Sequence, residues 1–110
     1  MAKKPKIKIL WSNKALSLLL EISTFIAEHT GEDKANRFEQ EIFNFIKEKL
    51  TPFPERYPPC RFEKLKEAGY RCFNFKKKYV IIYKFDGTDI RILAVVAVKR
   101  NPQFFNDLLS

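Results

Sequence analysis

Residues 70–98 read YRCFNFKKKYVIIYKFDGTDIRILAVVAV. This pattern predicts three consecutive β-strands, Tyr70–Lys76, Tyr79–Phe85 and Ile90–Val98. The middle strand is apolar on both faces, so we expect it to lie inside the sheet. Asp86-Gly87 predicts the second hairpin turn, because Gly tolerates positive φ and Asp can bond its own backbone. The first turn, Lys76–Lys78, has no Gly or Asn to fix its type. The stretch therefore predicts an antiparallel meander.

The last strand of the meander is expected to alternate regularly. Period-2 spacing places two sets of side chains on opposite faces, Ile90, Ile92, Ala94, Val96 and Val98 on one and Arg91, Leu93, Val95 and Ala97 on the other. Arg91 is the unusual member, because a buried charge on an apolar strand needs a partner or a groove to face.

Two amphipathic helices are predicted before the meander. Lys6–Trp11 begins by alternating lysines with large apolar side chains, which predicts a short edge strand. Ser12, which follows, is a suitable N-cap for a helix. Apolar residues then recur at three- and four-residue spacing in two stripes that are separated by Gly31. The first stripe is Ala15, Leu18, Leu19, Ile22, Phe25, Ile26 and His29, and the second is Ala35, Phe38, Ile42, Phe45, Ile46 and Leu50. We expect a helix hairpin on the sheet, with Trp11 and Phe73 in the shared core.

Prolines mark the remaining segments. Thr51-Pro52 ends the second helix, and further prolines make residues 51–60 a stiff connection that cannot be a central strand. Residues 64–68 form either a short helix or a loop. Asn101-Pro102 predicts the N-cap and first position of a C-terminal helix. The chain is therefore predicted to be one α+β domain over residues 1–110, with an N-terminal strand, a helix hairpin packed on an antiparallel sheet, and a short C-terminal helix.

The chain is basic, and the charge is uneven. It has 21 Lys and Arg against 13 Asp and Glu, a net charge of +8. Residues 61–110 hold 11 of the basic and 5 of the acidic side chains, so the sheet half carries most of the excess. A field of this sign favours acidic or polyanionic partners.

Several kinds of site and location are disfavoured. Cys60 and Cys72 are too few for a disulfide framework or a zinc site, so we expect thiols in a reducing cytosol. His29 has no ligand partners at helical spacing, and neither a metal nor a cofactor is expected. Met1–Lys6 is not followed by the long apolar run of a signal peptide, and no stretch has the ~20 apolar residues of a membrane span. The protein is predicted to be cytoplasmic.

The candidate functional residues are cations. No Gly-rich phosphate loop and no Ser-His-Asp set is present. Basic side chains are instead interleaved with aromatic rings on the meander and its flanks, namely Arg61, Arg71, Lys76–Lys78, Arg91, Lys99 and Arg100 with Tyr70, Phe73, Phe75, Tyr79 and Tyr83. Such a mixture can contact phosphates and stack on bases. Rings at alternating strand positions are also what a sheet core requires.

The order and spacing of several short motifs resemble the RelE/ParE superfamily of toxins over nearly the whole chain. The motifs are Trp11-Ser12, Leu50–Pro54, Tyr70-Arg71, Tyr79–Tyr83 and Val98–Arg100. The resemblance implies the toxin of a type II toxin-antitoxin, or plasmid stabilisation, system. It also implies a small acidic antitoxin that neutralises the toxin by wrapping along its helices and sheet. A basic, partly apolar surface suits such a partner.

The superfamily divides by cellular target. RelE-like members are ribosome-dependent mRNA interferases that use arginines, lysines and a late tyrosine or histidine, whereas ParE-like members inhibit DNA gyrase. Arg100 matches the arginine that RelE-like enzymes keep at the end of the last strand. Val80, however, occupies the position of their preceding arginine, and Phe104–Asn106 contains no tyrosine. We therefore favour a ParE-like toxin over an enzyme of the RelE kind.

This resemblance leaves two sets of candidate residues. For gyrase binding they are Arg71, Arg91, Lys99 and Arg100. The alternative function is a nuclease acting on mRNA at the ribosome. In that nuclease, Arg61 or Arg71 would replace the missing arginine beside Arg100, and Tyr83 or Tyr79 would replace the missing tyrosine.

Overall fold

A mixed four-stranded sheet lies at the centre of the fold. The computed structural model describes residues 6–109. The expectation that residues 1–6 do not begin a signal peptide therefore lies almost entirely outside the described residues. The strands are β1 (Ile9–Trp11), β2 (Arg71–Phe75), β3 (Tyr79–Phe85) and β4 (Ile90–Ala97). Their order in the sheet is β1-β4-β3-β2. The meander and the interior position of β3 are confirmed, and β1 adds at an edge as predicted, parallel to β4.

Helices cover both faces of the sheet. They are α1 (Asn13–Thr30), α2 (Glu32–Leu50), α3 (Glu63–Glu67) and α4 (Pro102–Asn106), and a 3-10 turn follows at Asp107–Leu109. The helix hairpin is confirmed. The segment left open at 64–68 is mostly helical. The predicted cap of α4 is also present, since the Asn101 side chain accepts a hydrogen bond of 2.8 Å from the Gln103 N–H.

The helix hairpin and the smaller elements enclose two apolar clusters, one on each sheet face. The first joins the inner faces of α1 and α2 to the sheet and contains Phe73, with Trp11 packed against it as predicted. The second lies on the opposite face and contains Leu65 of α3 and Phe105 of α4. The C-terminal helix therefore packs on the sheet instead of remaining without a partner.

A β-bulge in β4 overturns the expected regular alternation. Ile82 pairs with Ala94, but Tyr83 pairs with Ile92, so Leu93 is the extra residue. Ile92 lies in the first cluster, whereas Ala94 lies in the second. The prediction that Ile92 and Ala94 share a face was wrong, because one extra residue exchanges the faces of all that follow.

Two members of the predicted α1 stripe, Phe25 and His29, are exposed. Phe25 is 60% exposed, while Leu19 and Ser23 are buried. Phe25 lies two residues beyond Ser23, about 200° around the helix, so it is directed away from the buried side. Its ring stacks on that of His29 at 4.0 Å.

The two cysteines form a disulfide, so the expectation of free thiols was wrong. The proline-rich connection runs antiparallel beside β2, where Pro59 bridges Arg71. This arrangement brings the Cα atom of Cys60 to 4.9 Å from that of Cys72. Spacing along the chain carried no sign of this contact, because it depends on how the connection folds back onto the sheet edge.

Ser12 connects the bulge to the first helix. Its hydroxyl accepts a hydrogen bond of 2.9 Å from the Ala15 N–H and donates one of 3.0 Å to the Leu93 carbonyl oxygen. Its backbone N–H donates to the Ile92 carbonyl oxygen at 3.1 Å. The residue that begins α1 thus also supplies a partner for the carbonyl group of the extra residue in β4.

We predict that Ser12→Ala destabilises the protein by about 1–3 kcal/mol, because it removes an N-cap and a second, partly buried hydrogen bond. Urea denaturation measures this change. Ser17→Ala is the matched control, since Ser17 is an exposed position of α1, and its effect is expected within about 0.5 kcal/mol. Equal stability of the two variants would contradict the role given to Ser12.

The disulfide is expected to contribute about 3 kcal/mol to stability, since it closes a loop with a sequence separation of 12. The Cys60→Ser/Cys72→Ser variant should therefore unfold at lower urea than the oxidised protein. The chain has two cysteines, so the variant must not respond to a reductant, whereas the wild type must. A wild-type unfolding midpoint that no reductant lowers would contradict this contribution.

Candidate functional site

The residues considered for a nuclease are divided between the two faces of the sheet. Arg71 and Tyr83 are a cross-strand pair of β2 and β3, and Tyr83 belongs to the cluster under the helix hairpin. The Tyr83 side chain is fully buried, and its hydroxyl donates a hydrogen bond of 2.7 Å to the Pro54 carbonyl oxygen. Burial raises the pKa of this phenol to about 12. Tyr83 is therefore a packing residue that holds the proline-rich connection.

Arg71 and Tyr79 also have contacts on the sheet face that the helix hairpin covers. The Arg71 guanidinium donates a hydrogen bond of 2.6 Å to the Tyr57 carbonyl oxygen and lies 3.9 Å from the Glu55 carboxylate. The Tyr79 ring packs 5.2 Å from that of Phe38. Burial raises the pKa of Tyr79, although Lys76 nearby acts in the opposite direction. Neither tyrosine is suited to exchange a proton near neutral pH.

A cleft of about 310 Å³ opens on the other face. Its walls come from the proline-rich connection, the three strands of the meander or their flanks, and α4, with the lining residues Pro58, Pro59, Arg61, Phe62, Cys72, Asn74, Val80, Val98 and Phe105. Arg61 is the cation of this lining, and its guanidinium lies 5.1 Å from the Phe62 ring. The lining contains no carboxylate, imidazole, phenol or free thiol. The cleft can accept an anion beside Arg61, but it supplies no general base.

Arg100 lies in a different depression. It shares a hollow of about 50 Å³ with Glu21, Val95 and Phe104, between α1, β4 and α4. Its guanidinium is placed 4.6 Å from the Phe104 ring. Arg61 and Arg100 therefore do not line one cavity, and neither shares its cavity with Tyr79 or Tyr83.

Arg91 has both a partner and a groove to face, as expected for a charge on an apolar strand, and its side chain is exposed. Its Nε donates a hydrogen bond of 2.9 Å to the Asp86 carboxylate. That carboxylate also accepts hydrogen bonds from the backbone N–H groups of Asp89 and Thr88, and together these lower the pKa of Asp86 to about 2. The pair holds Arg91 beside a hollow of about 180 Å³ that Leu10 and Tyr70 also line.

A cluster of cations forms at the opposite end of the sheet. The Val98 N–H donates a hydrogen bond of 2.9 Å to the Lys78 carbonyl oxygen, so the β2–β3 turn lies beside the residues that follow β4. On the other side, Lys76 forms an ion pair with Glu41 of α2. We call this cluster the lysine end, and its members are Lys34, Arg37, Lys76, Lys77, Lys78, Lys99 and Arg100.

The β2–β3 turn has an unusual backbone for its sequence. Lys76 and Lys77 have φ of 54° and 58°. The Lys78 N–H donates back to the Phe75 carbonyl oxygen at 3.2 Å. Positive φ values at the two residues between Phe75 and Lys78, which this hydrogen bond joins, are typical of a type I′ turn. Such a turn normally carries Asn-Gly at these positions. These lysines belong to the candidate cations of the sequence, but their juxtaposition with Lys99 and Arg100 follows only from the strand register.

The structure gives no support for a metal centre or a membrane span within the part it describes. Across residues 6–109, no three His, Cys, Asp or Glu side chains are grouped so that they could hold a metal ion. Within the same residues, no helix is long and apolar enough to cross a membrane.

Comparison with known proteins identifies the class to which this fold belongs. The family model of the ParE toxin of type II toxin-antitoxin systems, parDE, matches residues 9–102. The chain therefore belongs to the ParE toxin family, in agreement with the resemblance of its motifs. No curated protein matches the chain.

A solved structure supports the fold. The chain is similar to a chain of the chromosomal ParDE toxin-antitoxin system from P. aeruginosa, with a TM-score of 0.72 and 21% sequence identity. The alignment covers 86% of this chain and 98% of that chain. At this identity the likeness concerns the arrangement of strands and helices.

Proposed function

We propose that this ParE-family chain is a cytoplasmic toxin of the plasmid-stabilisation kind, that it inhibits DNA gyrase, and that a cognate acidic antitoxin neutralises it. The observation that carries the proposal is the family match over residues 9–102. A further support is that Val80, which the resemblance aligns with an arginine of RelE-like enzymes, is an aliphatic side chain in the lining of the cleft.

The geometry weighs against the mRNA interferase alternative. Cleavage without a metal needs cations and a proton-transferring group around one phosphate. Here Arg61 and Arg100 line separate hollows, and the Tyr83 phenol is buried on the opposite sheet face. Neither of the two cavities brings these three side chains together. We therefore propose binding, not catalysis, as the basis of toxicity.

The proposed gyrase contacts lie along β4 and at its ends. Arg91, Lys99 and Arg100 are exposed. The eight-residue strand between the two ends spans roughly 25 Å, so a partner that reaches all three residues must cover the length of the sheet. Arg71 is a further proposed contact. Its side chain is 28% exposed, which leaves part of the guanidinium free beyond the Tyr57 carbonyl group.

The proposed antitoxin surface is the outer side of α1. Leu16 is 45% exposed and Leu20 is 63% exposed, and their four-residue spacing places them on one side of the helix. An amphipathic segment that buries both leucines and carries acidic side chains would match the apolar stripe and the net charge of +8.

We predict that the purified, folded toxin inhibits gyrase supercoiling of relaxed plasmid DNA at micromolar concentration and stabilises DNA breaks. Arg91→Ala should raise the concentration for half-inhibition about tenfold, the effect of losing one well-placed charged contact. The measurement is a gel assay of plasmid topology over a toxin titration.

Arg61→Ala is the control for this assay, since it removes an exposed arginine from the cleft instead of from β4. It should leave gyrase inhibition unchanged under the proposed function, whereas an interferase would lose activity with it. Folded wild-type toxin that leaves supercoiling intact but cleaves mRNA on ribosomes would overturn the proposal in favour of the alternative.

We also predict that a short acidic protein encoded beside the toxin gene restores growth when both are expressed together. Leu16→Lys/Leu20→Lys should abolish this rescue while toxicity persists, because each leucine that is no longer buried weakens binding by about 1.5–3 kcal/mol. Phe53→Lys, at another exposed apolar residue, should still be rescued. Rescue of the double leucine variant would place the antitoxin elsewhere.

A further inference from the structure

We propose that the lysine end binds the phosphodiester backbone of duplex DNA. The lysine end does not include Arg91, but it shares Lys99 and Arg100 with the proposed gyrase contacts. Only one part of the proposal rests on the proposed function, namely that the phosphates belong to DNA and not to RNA.

The first argument is charge balance. Among the described residues, Lys76 is the member of the lysine end that forms a salt bridge, with Glu41. The other two salt bridges in this part of the chain are those of Arg71 and Arg91, far from the turn in the strand register. Six cations of the lysine end therefore lack an acidic side chain within 4.0 Å in the described structure. Such an excess attracts a polyanion and releases its counterions on binding.

The second argument is backbone conformation. Lys76 and Lys77 occupy the left-handed region, which is unfavourable for residues other than glycine and best tolerated by asparagine and aspartate. Asn-Gly would form the same type I′ turn without that strain. Lysine at both central positions thus contributes nothing to the turn itself. Within the described residues, what Lys77 contributes is an unpaired ammonium group beside the residues that follow β4, whereas the ammonium group of Lys76 is paired with Glu41.

The third argument is the lack of apolar anchors at this surface. The exposed large apolar side chains of the described residues are Leu10, Leu16, Leu20, Phe25, Phe43, Phe53 and Leu109, none of which belongs to the β2–β3 turn or to residues 98–100. Protein interfaces bury aromatic and aliphatic anchors at their centre, whereas a phosphate backbone is contacted mainly by lysine and arginine. The surface therefore fits nucleic acid better than an acidic protein.

The proposed target determines the source of the phosphates. Gyrase acts on duplex DNA, so a toxin bound to that enzyme would lie close to a duplex, and a cationic end could contact it. Lysine contacts of this kind carry no sequence information, so we expect binding that is independent of sequence.

The test is a fluorescence anisotropy titration of a labelled duplex with the full chain, without gyrase, at salt concentrations between about 50 and 200 mM. With about five phosphates contacted, the slope of log K against log salt should be about −4.5. Lys77→Gly/Lys78→Gln removes two cations that are unpaired within the described residues, and Gly suits the positive φ of position 77, so this variant should reduce the slope by about 2.

The matched control is Lys64→Gln/Lys66→Gln, which removes the same charge from exposed positions of α3. It should retain at least three quarters of the wild-type slope. The proposal is overturned by any of three results: no duplex binding at low salt, equal slopes for the two double variants, or tighter binding of single-stranded RNA than of the duplex. Because gyrase is absent, loss of gyrase inhibition with intact DNA binding would count against the proposed function alone.

Discussion

The Ser12 hydroxyl lies between the start of α1 and the bulge in β4, and it donates one hydrogen bond and accepts another. The bulge requires such a partner, since the extra residue Leu93 leaves the strand pairing. The bulge in turn directs Ile92 to the hairpin face and Ala94 to the opposite face. The Ser12 side chain therefore contacts both the start of the helix hairpin and the bulge that divides β4 between the two clusters.

The two faces of the sheet are covered in different ways. Two long helices cover one face, whereas the other is covered by α3, α4 and the proline-rich connection. Short elements cannot bury a sheet face on their own, so other contacts hold them in place. The disulfide joins the connection to β2, and the Phe62 and Phe105 rings stack at 4.2 Å. The cleft opens between these elements, which explains why it is lined by their side chains and not by those of the helix hairpin.

Sequence patterns predicted most of the fold because each helix and strand has its own local signal. The N-caps Ser12 and Asn101 were confirmed, since capping depends on a few adjacent residues. The bulge, the disulfide and the turn type were not predicted. Each of these depends on how separate segments meet: Leu93 is an extra residue only relative to β3, and Cys60 approaches Cys72 only after the connection has folded back. The candidate cations were identified from composition, but no local pattern shows which of them share a surface.

That surface follows from the antiparallel register. Tyr79 pairs with Ala97, so the turn before β3 must lie beside the residues after β4. Any cations at these two places are brought together, although about twenty residues separate them in the sequence. The +6 excess of residues 61–110 is therefore not spread evenly over the sheet. Arg91, at the other end of β4, is paired with Asp86, whereas Lys77, Lys78, Lys99 and Arg100 form no salt bridge in the described structure. The antiparallel register thus gathers five cations, Lys76–Lys78 with Lys99 and Arg100, where the β2–β3 turn meets the end of β4.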